Sequence, residues 1–355
     1  MLYLILAFSV TFIMCWILIR MKQEKFMDIS QGVQKFHTWD VPRTGGIAIF
    51  FSLVVVSVAF YIAKKSFTKE VVLLIISAVP VFLGGTLEDI TKKVSPRVRL
   101  SLGFLSGVLS CFLLGANIIR LDIPVLDSIL KDSFILSMFL SAFALAGISN
   151  AMNIIDGFNG LASGISVIIF LSYAYLSFLL GDQFLLYFNL VIFAAVVGFF
   201  LWNFPLGKIF LGDGGAYTLG FFAGLNGILL VNRHPQVSAW FPLLLLIYPI
   251  WETLFSIWRK KFARNLNPFE PDAIHFHMLV YKRIVKPKFK NIDERIRNSF
   301  TSFYPWLLQM VATIPALLFW NNKYLLMLFT VVFIVIYVWL YFRIVKFKIP
   351  KFLKV

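Results

Sequence analysis

The stretch with the most chemical potential is residues 150–164, NAMNIIDGFNGLASG, which lies between two long apolar runs. Four polar side chains recur there every three residues: Asn150, Asn153, Asp156 and Asn159. In a bent segment this spacing lines one wall of a pocket, and the interspersed glycines let a ligand approach that wall. Polar groups at the edge of an apolar span are costly unless they serve a site. The alternative is a polar turn that only joins two helices.

Two acidic motifs supply candidate metal ligands or proton acceptors. In GGTLEDITKK, Glu88 and Asp89 end an apolar run, and Lys92 follows where it can face a phosphate. In FLGDGG, Asp213 stands between glycines at the start of another apolar run. Mg²⁺ keeps several waters and takes one or two carboxylates plus substrate phosphates, so accessible carboxylates of this kind suit it. The alternatives are solvated charges at helix ends and an ordinary turn aspartate.

Basic and imidazole side chains are the candidate anion contacts. Arg43 in PRTGG offers a guanidinium fork to phosphate, although this motif is also typical of a basic boundary before a helix. His275 and His277 form an HxH pair next to further basic residues. Zinc would need a third and a fourth ligand, for which the neighbouring sequence has no convincing candidates. We therefore expect the histidines to contact a diphosphate, the alternative being a purely structural pair.

The composition is that of an integral membrane protein. Of the 355 residues, 60% are hydrophobic and 14% are charged, whereas soluble domains have about a quarter of their residues charged. The net charge of +16 comes from basic residues in short loops between apolar runs. This distribution indicates a lipid membrane and its anionic surface as the partner, and no nucleic acid. Cys15 and Cys111 lie inside apolar runs, which excludes a disulfide framework.

Eleven apolar runs approach the roughly 20 residues that a helix needs to cross a bilayer. They lie near residues 1–19, 45–63, 69–87, 98–117, 133–149, 160–180, 184–203, 209–231, 238–258, 301–320 and 323–345. The first lacks a basic lead and a small-residue cleavage site, so we expect it to be a retained span. The expected fold is all-α, a polytopic integral membrane protein with about eleven transmembrane helices in a single domain, residues 1–355.

Charge sets the predicted topology. Roughly 26 of the 33 lysines and arginines fall in one set of alternate loops and its flanks, and the positive-inside rule places that set in the cytoplasm. The N-terminus is then outside and the C-terminus cytoplasmic, with a large basic cytoplasmic loop at residues 259–300. Every chemically capable cluster falls on the cytoplasmic side, whereas a transporter buries such groups near the bilayer midplane. The pattern favours an enzyme that joins a soluble phosphorylated donor to a lipid acceptor.

The motifs and their order resemble those of the polyprenyl-phosphate N-acetylhexosamine-1-phosphate transferases, of glycosyltransferase family 4 type. That family includes undecaprenyl-phosphate N-acetylglucosamine-1-phosphate transferases and phospho-N-acetylmuramoyl-pentapeptide transferase. The similarity spans about residues 35–285 and rests on PRTGG, LEDITKKVSPRVRL, NAMNIIDGFNGLASG, FLGDGG and HFH. The central motif is highly specific, while PRTGG and HFH are supportive only.

The resemblance implies an acidic and metal-binding centre. Asp89 matches the second acid of the family's paired-aspartate motif, a candidate base for the lipid phosphate, and Glu88 replaces the usual first aspartate. Asn153 and Asp213 would hold Mg²⁺ against the donor diphosphate, with Asp156 supporting them. Mn²⁺ is compatible with the same ligands.

The resemblance also implies the substrate contacts. Lys92 matches a basic partner of the paired acids, and Asn159 matches the position that reads uracil, where many bacterial members have aspartate. His275 and His277 would contact the diphosphate or the sugar. Met278 stands where a further histidine is common, so a fixed role for a histidine triplet does not carry over.

The implied reaction transfers an N-acetylhexosamine 1-phosphate from a UDP-N-acetylhexosamine donor to undecaprenyl (polyprenyl) phosphate, with release of UMP. It would take place at the bacterial cytoplasmic (inner) membrane and start a lipid-linked glycan such as O antigen, wall polymer or capsule. A direct displacement and a two-step route through an enzyme carboxylate both fit the sequence, as does a homodimer. The alternatives are a membrane transporter and a non-catalytic binder of lipid-linked sugars.

Overall fold

The computed structural model describes residues 1–21, 27–28, 40–263 and 274–347, and these residues are almost entirely helical, which confirms the all-α prediction. Two π-helical turns, Arg259–Ala263 and Tyr281–Val285, lie among the later helices. Two-residue strands β1 (Met27–Asp28) and β2 (Val41–Pro42) pair antiparallel. The α-helices, in chain order, are α1 (Leu2–Met21), α2 (Gly45–Ile62), α3 (Thr68–Thr91), α4 (Pro96–Leu114), α5 (Pro124–Asp132), α6 (Phe134–Ile155), α7 (Leu161–Leu179), α8 (Gln183–Asn203), α9 (Gly212–Arg233), α10 (Trp240–Leu245), α11 (Ile247–Trp258), α12 (Phe276–Val280), α13 (Lys286–Lys288), α14 (Glu294–Leu318) and α15 (Lys323–Val345).

Nine of the described helices are long and apolar enough to cross a membrane: α1 to α4, α6 to α9, and α15. Each corresponds to one of the eleven predicted runs, and the chain is a multi-pass membrane protein. The run near 238–258 forms two shorter helices, α10 and α11, and the run near 301–320 lies in α14, which begins earlier in a charged turn. The count of eleven spans and the orientation of the termini stay predictions.

Proline explains the break between α10 and α11. Pro249 has no backbone N–H, so the carbonyl of Leu245, one turn earlier, loses its helical donor. The side-chain amide of Gln309 in α14 donates to that carbonyl instead, at 2.8 Å. This contact satisfies a buried polar group and joins the broken helix to α14.

Helix α9 is the centre of the bundle. In its apolar 18-residue stretch, 94% of the residues are buried. Neighbouring helices approach it at glycines, as small residues allow in membrane proteins. A Cβ on Gly46 of α2 would lie 2.1 Å from the nitrogen of Gly215, and one on Gly85 of α3 would lie 2.5 Å from the nitrogen of Gly214. These crossings hold the first turn of α9 between α2 and α3.

Two of the predicted loops contain helical structure. The segment 118–132 includes α5, which begins at a proline and buries Leu130. The basic loop 259–300 includes α12, α13 and the start of α14, because Phe276, Leu279 and Val285 are buried against the bundle. Residues 264–273 of this loop lie outside the described residues, and with them the first part of PDAIHFH.

The motif-bearing helix ends lie together at one end of the bundle. Helices α2, α4, α7, α9 and α14 begin there, and α3, α6 and α8 end there, as side-chain contacts between those ends show. The alternation of helix direction thus gathers segments that are far apart in sequence into one region.

Candidate active site

A polar cavity of about 370 Å³ lies where these helix ends meet. Charged and amide side chains form much of its wall: Arg43, Glu88, Arg99, Asn153, Asp156 and Asp213. The volume falls in the range of about 300–1,000 Å³ that small-molecule sites occupy. Five of these six residues are predicted site residues, and Arg99 is an addition.

Asp213, in the first turn of α9, is the hub of the cavity and only 5% exposed. The Nη2 atom of Arg43 donates to its Oδ1 at 2.8 Å, and the Nδ2 atom of Asn153 donates to the same oxygen at 3.0 Å. Arg99 of α4 donates to the second oxygen. Two guanidinium groups therefore converge on one carboxylate at the cavity wall, and guanidinium groups suit a phosphate.

Asp89, at the end of α3, is 3% exposed and holds the start of α9. Its two carboxylate oxygens accept hydrogen bonds from the backbone nitrogens of Asp213 and Gly214, each at 2.9 Å. The first N–H groups of a helix have no partner within the helix, so Asp89 caps α9 from a neighbouring helix. The Nε atom of Arg43 lies 3.4 Å from Asp89 and balances its charge.

Backbone hydrogen bonds hold PRTGG against FLGDGG. The nitrogen of Phe210 donates to the carbonyl of Pro42 at 2.9 Å. The nitrogens of Gly45 and Gly46 donate to the carbonyls of Phe210 and Leu211, at 3.0 and 2.8 Å. This pairing places the arginine of the first motif beside the aspartate of the second.

The turn between α3 and α4 positions Arg99. Lys92 ends α3 in the left-handed region, with φ 57°, and the Oε2 atom of Glu88 accepts from the backbone nitrogen of Val94 at 2.7 Å. Ser95 then caps α4, which has a proline at its first position, a common start signal. The side chain of Lys92 is exposed, and the described residues that line the cavity do not include it. Its phosphate contact stays a prediction.

Asn159 and Asp156 lie on the α6–α7 connection. Asn159 lines the cavity at 2% exposure, but its Nδ2 atom lies 3.3 and 3.4 Å from the carbonyls of Arg295 and Pro205. The side-chain amide of Asn159 therefore donates to carbonyls of the protein itself, and its contact with uracil stays a prediction. Burial raises the pKa of Asp156 to about 7, against the opposing effect of Arg43.

The structure gives the two histidines different surroundings, although their rings stack with centroids 5.5 Å apart. His275 lines the cavity, and its Nδ1 atom lies 2.9 Å from Oε1 of Glu252 in α11. His277 is fully buried and edge-on to Phe158, with ring centroids 5.8 Å apart. Burial lowers the pKa of His277 to about 3, more than the nearby Glu252 carboxylate raises it, so its ring is neutral at physiological pH. Of the pair, His275 alone is at the cavity wall.

Comparison with known proteins gives the family. The sequence profile of glycosyl transferase family 4 matches residues 71–231. The chain is 30% identical over 290 residues to the phospho-N-acetylmuramoyl-pentapeptide-transferase of Lactobacillus gasseri, covering 77% of this chain and 88% of that protein. It is 27% identical over 267 residues to the undecaprenyl-phosphate alpha-N-acetylglucosaminyl 1-phosphate transferase of Thermotoga maritima, covering 75% and 77%. A probable undecaprenyl-phosphate N-acetylglucosaminyl 1-phosphate transferase of Bacillus subtilis is 30% identical over 249 residues, covering 69% and 66%.

The chain belongs to the polyprenyl-phosphate N-acetylhexosamine-1-phosphate transferases. It is therefore a transferase, and the resemblance seen in its motifs is confirmed. The profile match includes three of the five motifs, LEDITKKVSPRVRL, NAMNIIDGFNGLASG and FLGDGG. Arg43, His275 and Glu252 lie outside the matched residues.

Several side chains of this candidate site were missed by sequence reasoning. Arg99 lies within the VSPRVRL stretch, and the signal that could have identified it is its position in the same motif as Asp89. Glu252 is an acidic residue inside an apolar run, which is itself a sign of a functional site. Asn203 and Asn298 orient the α6–α7 connection by accepting from the backbone nitrogens of Gly160 and Asn159. Those two contacts depend on the tertiary fold.

The donor set of the transferase fits Mg²⁺. Carboxylate and amide oxygens suit this ion, and Asp213, Asn153, Asp156 and Glu88 all line the cavity. Within the described residues, no three His, Cys, Asp or Glu side chains are placed to hold a metal among themselves. A metal here would complete its shell with water and phosphate oxygens, as Mg²⁺ does. To bind the ion, Asp213 would have to give up its contact with one of the two arginines.

Proposed function

We propose that this transferase moves an N-acetylhexosamine 1-phosphate from a UDP-sugar to undecaprenyl or another polyprenyl phosphate, at the cytoplasmic face of the bacterial inner membrane. The observation that carries the proposal is the convergence of Arg43, Arg99, Asn153 and Asp213 from four separate elements on one cavity. The names of two relatives include the acceptor undecaprenyl phosphate, and that of the third includes the transfer of a phosphosugar.

The two arginines of the cavity wall are suited to the donor diphosphate. Arg43 and Arg99 can turn from Asp213 to phosphate oxygens, and His275 lines the same cavity. Asn153 and Asp213 would hold Mg²⁺, which when bound would neutralise charge on the phosphates. Since the backbone segments that carry these groups are packed together in one bundle, their relative positions are set before the substrate arrives, as positioning catalysis requires.

The proposed step is a direct displacement. An oxygen of the lipid phosphate forms a bond to the β-phosphorus of the donor, and the bond from that phosphorus to the bridging oxygen breaks. UMP leaves with the bonding electrons and the lipid retains the sugar through a diphosphate. Such reactions depend mainly on alignment and charge neutralisation, which this chain's arginines and acids supply.

The test is UMP release by the purified protein in detergent, with undecaprenyl phosphate, Mg²⁺ and a panel of UDP-N-acetylhexosamines. Release with one donor, dependent on lipid and metal, is expected and identifies the sugar. No release with any donor overturns the proposal. Uptake of a solute into liposomes without UMP formation would indicate a transporter, and tight binding of a lipid-linked sugar without turnover would indicate a non-catalytic binder.

A further inference from the structure

Glu252 is a fully buried acid in the broken helix region, with 0% exposure. It lies in α11, one turn after Pro249, among aromatic neighbours such as Phe255. A buried carboxylate is costly unless it is paired and hydrogen-bonded. Glu252 therefore requires partners, and the structure supplies three.

The three partners surround both carboxylate oxygens. Oε1 lies 2.9 Å from Nδ1 of His275 and accepts from the backbone nitrogen of Phe276 at 3.2 Å. Oε2 accepts from the hydroxyl of Tyr337 in α15 at 2.8 Å. An ionised carboxylate can only accept hydrogen bonds, so the ring nitrogen that faces it must carry a proton.

Helix α15 holds the same loop at a second point. Tyr341, one turn after Tyr337, donates its hydroxyl to the carbonyl of Ile274 at 3.1 Å. The two tyrosines thus hold the surroundings of His275. Tyr337 acts through Glu252, and Tyr341 acts through the backbone of Ile274, the residue before His275. Both hydroxyls come from a helix that lies outside the residues matched by the family profile.

We propose that Glu252, held by Tyr337, is a positioning residue that fixes the ring and tautomer of His275 and leaves Nε2 to face the cavity. This inference rests on the proposed function, in which His275 contacts the donor diphosphate. With Nδ1 engaged by Glu252, Nε2 is the nitrogen left for a substrate in the cavity that His275 lines. The neighbouring His277 has no such anchor, since neither ring nitrogen has a hydrogen-bond partner in the described residues.

A double-mutant cycle tests the coupling. We expect Glu252→Ala to lower kcat about 10- to 100-fold in the wild-type background, the usual cost of losing a partner that orients a histidine. In a His275→Ala background the same change should cost less than about twofold, because the histidine it positions is already gone. Equal losses in both backgrounds would show a general structural role and overturn the proposal. Glu252→Gln replaces Glu252→Ala in the cycle where the alanine variant yields little folded protein.

Tyrosine variants provide a matched comparison. Tyr337→Phe removes only the hydroxyl that contacts Glu252, and we expect kcat to fall about tenfold. The control is Tyr248→Phe, because Tyr248 is also fully buried, lies one turn before Glu252 in α11, and has a hydroxyl without a partner in the described residues. It should leave kcat within about twofold of wild type. Equal effects of the two variants would contradict the positioning role.

Labelled-histidine NMR reads the tautomer without any activity. The chain has four histidines, and the signal lost in His275→Ala identifies His275. We expect protonated Nδ1 in wild type; an unprotonated Nδ1 would overturn the proposal. If wild-type protein releases no UMP from any donor, the proposed function fails on its own, while the spectrum still decides whether Nδ1 of His275 carries the proton that its contact with Glu252 requires.

Discussion

The carboxylate of Asp89 accepts a hydrogen bond from the backbone nitrogen of Asp213 at 2.9 Å, across 124 positions of sequence. The side chain of Asp89 therefore holds the backbone that carries Asp213. Arg43 contacts both carboxylates, at 3.4 and 2.8 Å, so the three residues behave as one unit. A change at one of them should affect the placement of the others.

Replacing Asp89 should affect stability as well as turnover. In Asp89→Asn, an amide NH₂ would face a backbone N–H that needs an acceptor, and a buried helix start would lose its charged cap. We expect a loss of about 1–3 kcal/mol of stability, with turnover reduced at least about 100-fold. Thermal unfolding in detergent and UMP release measure the two effects. Asp293→Asn is the control, because Asp293 caps α14 at an exposed position where asparagine caps equally well. Equal unfolding of Asp89→Asn and wild type would contradict the capping role.

Asp213→Asn should abolish turnover while the protein stays folded. The amide keeps the shape of the side chain but removes the charge that would hold a metal against phosphate. Arg43 and Arg99 border the cavity, with side chains 25% and 15% exposed, so water can solvate them after the charge is lost. The measurement is UMP release over a Mg²⁺ titration, with thermal unfolding as the folding control. A fully active Asp213→Asn variant would rule out the metal assignment.

Adding a methyl group at Gly85, which does not line the cavity, should still disturb the site. Its Cβ would lie 2.5 Å from the nitrogen of Gly214 and 2.6 Å from the carbonyl oxygen of Asp213. Backbone atoms of a packed helix cannot move aside cheaply, so we expect Gly85→Ala to cost about 1–3 kcal/mol and to reduce turnover.

The matched control for Gly85 is Gly147→Ala in α6. A Cβ at Gly147 would meet nothing within 4 Å, and alanine favours a helix over glycine by about 1 kcal/mol. We expect Gly147→Ala to unfold at the same temperature as wild type or higher, with unchanged UMP release. Similar behaviour of the two variants would mean that the α3–α9 approach is not tight.

Hydropathy was sufficient for most of the fold because spans need long apolar runs, and these leave a strong signal. The nine described spans lie at predicted positions. The break at Leu246 was not predicted, since Pro249 alone does not reveal that Gln309 would satisfy the freed carbonyl. The amphipathic α5 was also missed, because a nine-residue helix is too short for a span pattern.

The site was predictable where its residues stand in a recognisable motif. Asp89, Asn153 and Asp213 do, and the structure brings them together. Glu252 was visible as a lone acid in an apolar run, but its partner His275 could not be found by spacing, since only the fold brings α11 to α12. Conversely, the HxH spacing suggested two equivalent histidines, whereas the start of α12 turns His277 into the core.

A further charged cluster lies at the opposite end of α9 and predicts how stability depends on pH. The Asp182 carboxylate accepts from Nε of Arg233 at 2.6 Å and from the backbone nitrogen of Leu185 at 3.1 Å, and it lies 2.9 Å from Nε2 of His234. Burial alone would raise the pKa of Asp182, but the hydrogen bonds from Arg233, Leu185 and His234 outweigh it, so the pKa is lowered. The cluster joins the start of α8 to the end of α9.

A carboxylate with a lowered pKa contributes stability above its unfolded-state pKa, about 3.9 for aspartate, and loses it as the pH falls through the folded-state value. At pH 7 we expect Asp182→Asn to be less stable than wild type by about 1–3 kcal/mol. The difference should narrow below about pH 5, where wild type begins to lose the charge that the variant already lacks. Thermal unfolding in detergent between pH 7 and pH 3.5 measures both, with Asp132→Asn, at an exposed position of α5, as the control. A difference that stays constant over this range would show that packing around residue 182, and not its charge, joins α8 to α9.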